Sequence, residues 1–199
     1  MLGAVASFSA IAIAGREAYH EMDVYELMFY RSVIGVVIFM TYGALSKGGF
    51  AQFRTQRIGL HFVRNMVHLV GQFGWFYALA LIPLAQLFAL EFTTPLWIAI
   101  LAPFLLGERL TKTRLAAVAL GFAGVLVVLR PGLETINLGS IVMLIGAMGF
   151  AGAMMMTKRL APTEKPMTIL FYMALMQTPV GLLLAFNTLH WPSPITAMW

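Results

Sequence analysis

The chain has 199 residues, of which 60% are hydrophobic and only 11% are charged, and its mean hydropathy is +0.85. A soluble domain carries about 25% charged residues, so this composition excludes an ordinary soluble fold and a disordered chain and indicates an all-α membrane protein. The net charge of +5 does not indicate a nucleic-acid partner, because the basic residues are dispersed, and the absence of cysteine excludes disulfides and thiolate chemistry.

Seven apolar stretches follow one another along the chain, each close to the roughly 20 residues that a helix needs to cross a hydrocarbon core of about 30 Å. They are residues 1–19, 25–45, 59–81, 85–106, 114–129, 138–157 and 167–189. The loops between them are short. The sequence therefore predicts about seven transmembrane helices.

Basic residues are concentrated in or beside the loops that follow the second, fourth and sixth stretches, where ten of the 13 Lys and Arg residues lie. The first loop is acidic instead. Because cytoplasmic loops carry an excess of Lys and Arg, this distribution predicts a multi-pass protein of the inner membrane with a cytoplasmic N-terminus. It also favours weak attraction to anionic membrane lipid.

An internal repeat aligns residues 26–31 with residues 168–173, a shift of 142 positions. The second copy is offset from the first by five apolar stretches, an odd number, so it would be inverted in the membrane. Inverted repeats are typical of secondary transporters, whose substrate sites lie between the halves. We therefore predict a first repeat of five helices over residues 1–132 and the first two helices of an inverted second repeat over residues 138–199.

Four charged residues lie within the outer half of the apolar stretches: Arg16, Glu17, Arg31 and Glu91. A charge in hydrocarbon costs about 3 kcal/mol on insertion scales, so it faces a cavity or a partner. We predict that these charges converge and that Glu91 pairs with Arg31 or Arg16. Two interpretations stay open: a structural ion pair, or a Glu91 that acts as a protonatable coupling group or as the counter-charge of a polar substrate.

The third stretch carries a polar stripe of Asn65, His68, Gln72 and Trp75, spaced by three and four residues along one helix face. Such a stripe is costly against lipid and favourable against a water-filled cavity, so we expect Gln72 and Trp75 to line one. The alternative is that these groups bond to neighbouring helices. For His68, a proton-handling role and a packing role both remain open.

A break is predicted in the fourth stretch at Thr94-Pro95. Proline has no backbone N–H, so Pro95 frees the carbonyl of Glu91 from its helical hydrogen bond. Freed backbone groups are tolerated where protein or a cavity satisfies them, so we place Thr94 with the candidate cavity residues. Ala117 and Gly121 in the fifth stretch have the small-xxx-small spacing of a packing surface.

Five motifs stand in or beside the second, fourth and fifth stretches. They are Glu26 to Arg31, Glu91-Phe92-Thr93-Thr94-Pro95-Leu96-Trp97, Leu106-Gly107-Glu108-Arg109-Leu110-Thr111, Gly121-Phe122-Ala123-Gly124-Val125 and Arg130-Pro131-Gly132. With these motifs the chain resembles, over its whole length, the EamA-type transporters of the drug/metabolite transporter superfamily. The resemblance implies ten helices in two inverted five-helix repeats around a central cavity, with alternating access. It gives Glu108 and Arg109 a structural role in the turn between the fourth and fifth helices.

The leading hypothesis is a secondary transporter of a small polar or amphipathic metabolite or drug, coupled to protons or another gradient, with no cofactor and no metal. The chain ends after the seventh helix of the implied ten, so further C-terminal helices or a second copy would complete the assembly. A membrane-embedded enzyme and a non-transporting assembly subunit are the alternatives. Hydrolase and zinc-protease motifs are absent, which disfavours the enzyme, and a Walker motif is absent, which disfavours a built-in ATP engine.

Overall fold

The structure is a computed structural model that describes residues 2–108, 111–129 and 137–191. It contains α-helices and one short 3₁₀ helix, and no strand occurs within those ranges. The helices are α1 (Leu2–Ala18), α2 (Val24–Leu45), the 3₁₀ helix (Gly49–Phe53), α3 (Ile58–Leu81), α4 (Leu84–Glu91), α5 (Thr94–Leu106), α6 (Lys112–Leu129), α7 (Leu138–Leu160) and α8 (Pro166–Ala185). The predicted all-α class is confirmed.

Each predicted apolar stretch corresponds to a helix or, for the fourth stretch, to two. The boundaries agree to within four residues, and the largest difference is at the end of α8, which stops at Ala185 instead of residue 189. Within the described residues, four segments are long and apolar enough to cross a membrane. They are Val24–Leu45, Leu84–Leu106, Leu138–Leu160 and Pro166–Ala185.

The fourth stretch divides between Glu91 and Thr94, as its proline predicts. The Thr94 hydroxyl donates to the freed Glu91 carbonyl at 2.7 Å, and the Thr93 hydroxyl donates to the Leu90 carbonyl at 2.6 Å. The Thr94 side chain thus replaces the backbone donor that Pro95 removes, which is how a broken helix is tolerated in a membrane protein. The predicted break is confirmed. α5 ends at Leu106, and the residue that caps it, Gly107, has a φ of 67° that glycine adopts easily.

The chain forms two compact units, and the first comprises Met1–Arg16 and Val67–Met155. In this unit α6 packs against α4 and α5. Helices α3 and α7 approach each other closely, and a Cβ added to Gly149 would lie 2.7 Å from the backbone nitrogen of Gly71. Glycines on both helices allow this approach, as small residues do elsewhere in membrane bundles.

The second unit comprises Glu17–Met66 and Met156–Trp199. Its centre is the pair of α2 and α8, and the 3₁₀ helix packs on both. Phe53 of the 3₁₀ helix is 3% exposed and stacks on Phe171 of α8 with ring centroids 4.4 Å apart. This aromatic contact joins the segment before α3 to the α2–α8 pair.

Candidate functional site

In the first unit, Glu91 at the end of α4 accepts a hydrogen bond from the indole nitrogen of Trp75 on α3, and the two atoms are 2.8 Å apart. Trp75 is 4% exposed and Glu91 is half-buried. Hydrogen bonds to a charged acceptor are about twice as strong as neutral ones, so the indole both orients and stabilises the carboxylate. The structure therefore couples the polar stripe of α3 to the acidic residue beside the helix break.

Arg16 has partners different from the predicted one. Its guanidinium donates to the carbonyl oxygens of Leu79 and Ile82 at the C-terminal end of α3. The last carbonyls of a helix lack intrahelical donors and carry the negative end of its dipole, which explains why they attract a guanidinium in place of Glu91. A structural role for Arg16 and Glu17 stays a prediction, and Glu17, the next residue in the chain, is exposed.

Two further members of the α3 stripe lie in the same unit. Gln72 is 3% exposed, and the half-buried His68 meets Phe150 of α7 edge-on, with ring centroids 5.6 Å apart. That contact supports the packing interpretation of His68. Gln72, Trp75 and Thr94 line neither of the two cavities that the structure describes, so their role as cavity residues stays a prediction.

The larger of those cavities has a volume of about 780 Å³ and lies between α4, α5 and α6. Phe88, Phe92 and Phe122 are among its apolar lining residues, together with Pro95 and Gly121. A Cβ added at Gly121 would meet no atom within 4 Å, so the packing contact expected there is not present in the described part of the chain. The reason is that α6 turns its small residues toward the cavity instead of toward a helix.

In the second unit, Arg31 on α2 donates to the side-chain oxygen of Gln177 on α8 at 3.2 Å. The Arg31 side chain is exposed, whereas Gln177 is 2% exposed. Arg31 and Glu91 belong to different units, so their pairing stays a prediction.

Sequence reasoning did not predict that Arg64 and Asn65 are buried. Arg64 is 7% exposed and Asn65 is fully buried. The Arg64 guanidinium donates to Asn65 Oδ1 at 2.9 Å and to Thr157 Oγ1 at 3.2 Å, while Asn65 donates to the Tyr172 carbonyl at 3.1 Å. The signal available in the sequence was the place of Asn65 on the polar stripe, with Arg64 directly before it.

Glu26 was also missed as a buried group, although the spacing Asp23-x-x-Glu26 is a capping-box pattern. Asp23 caps α2, and the Glu26 carboxylate accepts from the Asp23 backbone N–H at 3.0 Å. Glu26 is 1% exposed, and its other oxygen lies 2.7 Å from His190 Nδ1. A buried carboxylate at the start of α2 thus holds the segment that follows α8.

His190 is surrounded by acceptors at both ring nitrogens. Nδ1 faces the Thr188 carbonyl and the Glu26 carboxylate, and Nε2 lies 2.9 Å from the Glu21 carbonyl. Only the imidazolium can donate from both nitrogens. The hydrogen bond to Thr188 and then the charge of Glu26 therefore raise the pKa of His190 above 6.5.

This arrangement predicts that the protein is more heat-stable at about pH 6 than at about pH 8.5. Because the pKa of His190 is raised on folding, its stabilising effect is complete below the unfolded value and is lost as the pH rises through the folded value. Thermal midpoints at the two pH values should differ less in His190→Gln. The matched control, the exposed His20→Gln, should keep the wild-type difference, and an unchanged difference in His190→Gln would contradict the prediction.

Glu108 lies just after α5 and is half-buried, whereas Arg109 lies outside the described residues, as do residues 130–132 of the resemblance motifs. Within residues 2–108, 111–129 and 137–191, no group of three or more His, Asp and Glu side chains is arranged to hold a metal ion.

Long apolar helices, a helix broken at a proline beside an acidic residue, and buried polar side chains define the class of helical membrane proteins with internal polar sites. Residues 1–130 match the EamA-like transporter family, and the chain belongs to that family. Its relatives, like the family itself, are named as transporters and not as enzymes.

Three relatives illustrate the range of transporters that the chain resembles. The chain is 31% identical over 183 residues to a riboflavin transporter of Brucella anthropi, covering 91% of this chain and 64% of the relative. It is 27% identical over 175 residues to an S-adenosylmethionine uptake transporter of Rickettsia bellii (88% and 58%), and 26% identical over 190 residues to a pseudopaline exporter of Pseudomonas aeruginosa (95% and 66%). The chain therefore spans less than two thirds of the length of these curated relatives. No solved structure matches it significantly.

Proposed function

We propose that the chain forms part of a secondary-active transporter that moves a small polar or amphipathic metabolite across the inner membrane by alternating access. The observation that carries the proposal is the polar centre of the first unit, where the carboxylate of Glu91 lies beside a helix break and is bound by the Trp75 indole. Broken helices beside charged groups are a recurrent design of transporter sites.

The family supports the same proposal. Relatives that match most of this chain are named for the transport of different small molecules, and their names include both uptake and export. The family match over residues 1–130 supports the proposed division into a first repeat over 1–132 and the start of a second over 138–199. We assign the substrate-facing roles to Arg31, His68, Gln72, Trp75, Glu91 and Thr94.

The proposed orientation has the N-terminus in the cytoplasm, because the basic loops follow the second, fourth and sixth stretches. We further propose proton coupling through Glu91, since a carboxylate in a half-buried site can exchange a proton during the transport cycle.

Flux through proteoliposomes tests the proposal. The purified chain is reconstituted, and labelled riboflavin and S-adenosylmethionine are offered with and without an imposed pH gradient. We expect saturable, protein-dependent flux of at least one solute and a faster rate with the gradient. Absence of flux for both would favour an assembly subunit, and recovery of a chemically altered solute would favour an enzyme.

A further inference from the structure

The strongest unassigned feature is the buried guanidinium of Arg64 in the second unit. It is 7% exposed and lies about 9 Å along α3 from Ile58, well inside the helix. Its acceptors in the described part of the chain are Asn65 Oδ1 and Thr157 Oγ1, which are both neutral oxygens. A buried cation held only by neutral groups is energetically costly, so such a charge is usually matched by an anion.

A second cation, Arg31, approaches the same segment of α8 from α2. Asn65, which holds Arg64, donates to the Tyr172 carbonyl and to the sulfur of Met176, and Arg31 donates to Gln177. Met176 and Gln177 are adjacent on α8, so the two guanidiniums are held over neighbouring residues of that helix. Repulsion between two cations inside a membrane domain is relieved when an anion binds between them.

The acidic residue in this region is already engaged. Glu164 accepts from the Thr55 hydroxyl at 2.6 Å and lies 3.9 Å from Nε2 of the buried His61. Glu164 is therefore held by Thr55 and lies beside His61, while Arg64 is directed to Asn65 and Thr157. The Arg31 side chain is exposed in the described part of the chain.

We propose that Arg64 and Arg31 form a binding site for an anionic oxygen group, a carboxylate or a phosphate, on a small solute. Both of these groups match the planar donor face of guanidinium. If this site binds the transported solute, the substrate carries an anionic oxygen group. The inference rests on the proposed function only because it takes the occupant to be a transported solute. Phosphate of a lipid headgroup has the same chemistry, so the test separates the two sources.

Thermal unfolding of the whole chain in phosphatidylcholine nanodiscs tests the site. The probes are sodium phosphate and sodium succinate, and the control is sodium chloride at equal ionic strength. We expect phosphate or succinate to raise the midpoint saturably, by about 5–10 °C at about 100 times Kd. Absence of a saturable rise with both probes overturns the proposal. Nanodiscs containing phosphatidylglycerol report on the lipid: a rise there without soluble anion assigns the site to a headgroup and overturns the solute assignment.

Variants locate the site. In Arg64→Gln we expect the anion-dependent rise to disappear while the midpoint without anion is unchanged or higher, because an uncompensated buried charge has been removed. A merely structural Arg64 would give a lower midpoint and a preserved rise, which would contradict the proposal. Arg54→Gln removes an exposed arginine outside the helices and should retain the full rise. If Arg64→Gln fails to fold, Arg64→Lys serves instead, with a weakened rise expected and a full rise contradicting the proposal.

The thermal unfolding test measures anion binding and does not measure flux. A failure of the binding proposal can therefore be distinguished from a failure of the proposed transport. Flux without an anion-dependent rise leaves transport standing and removes this site. A rise without flux retains the site and removes transport.

Discussion

Replacing Glu91 by glutamine is expected to lower the flux of the reconstituted chain by about 10- to 100-fold. The change keeps the shape of the side chain and its contact with Trp75, which donates to Glu91 at 2.8 Å, but removes the charge and the exchangeable proton. A hydrogen bond to a charged group contributes about 1.5–3 kcal/mol, and about 1.4 kcal/mol corresponds to a factor of ten. If Glu91 couples transport to protons, the acceleration by an imposed pH gradient should disappear as well.

Two companion variants sharpen this test. Glu17→Gln makes the same chemical change at an exposed carboxylate near the end of α1 and should leave both flux and its pH dependence unchanged. Trp75→Phe keeps an aromatic ring but removes the donor to Glu91, so a smaller loss of flux is expected. Wild-type flux with full pH dependence in Glu91→Gln would refute the coupling role.

Introducing a methyl group at Gly149 is expected to destabilise the first unit. The added Cβ of Gly149→Ala would lie 2.7 Å from the backbone nitrogen and 3.0 Å from the Cα of Gly71, and backbone atoms cannot rotate away as a side chain can. The helices α3 and α7 would have to separate. Overpacking of this kind costs about 1–3 kcal/mol, so the free energy of unfolding and the thermal midpoint should both fall.

Gly121→Ala is the matched control, because the same methyl group at Gly121 meets no atom within 4 Å. Alanine is the better helix former, so this variant should be neutral or stabilised by up to about 1 kcal/mol. The thermal midpoints of the two variants and the wild type, measured in the same detergent, test whether the α3–α7 contact is as close as the geometry indicates. Equal midpoints for Gly149→Ala and Gly121→Ala would show that the α3–α7 approach is looser than the geometry indicates.

Local patterns were sufficient for much of this protein. Hydropathy located the helices, since each apolar run is read without knowledge of any other part of the chain. Proline chemistry located the break before Thr94, because the missing N–H acts on a carbonyl four residues away. The capping-box spacing at Asp23 and Glu26 was equally readable, although it does not reveal that His190 would meet the same carboxylate.

The partners of the charged side chains were decided by the tertiary structure. Arg16 binds the carbonyls at the end of α3, and His190 binds Glu26 from 164 positions away along the chain. The burial of Arg64 likewise depends on α7 and α8, and these contacts cannot be inferred from the sequence of α3 alone. Composition and periodicity determined a helical membrane protein with polar groups inside it, because both act within one helix. The contacts between those groups depend on the rotation and axial register of separate helices. Packing sets both as the helices assemble.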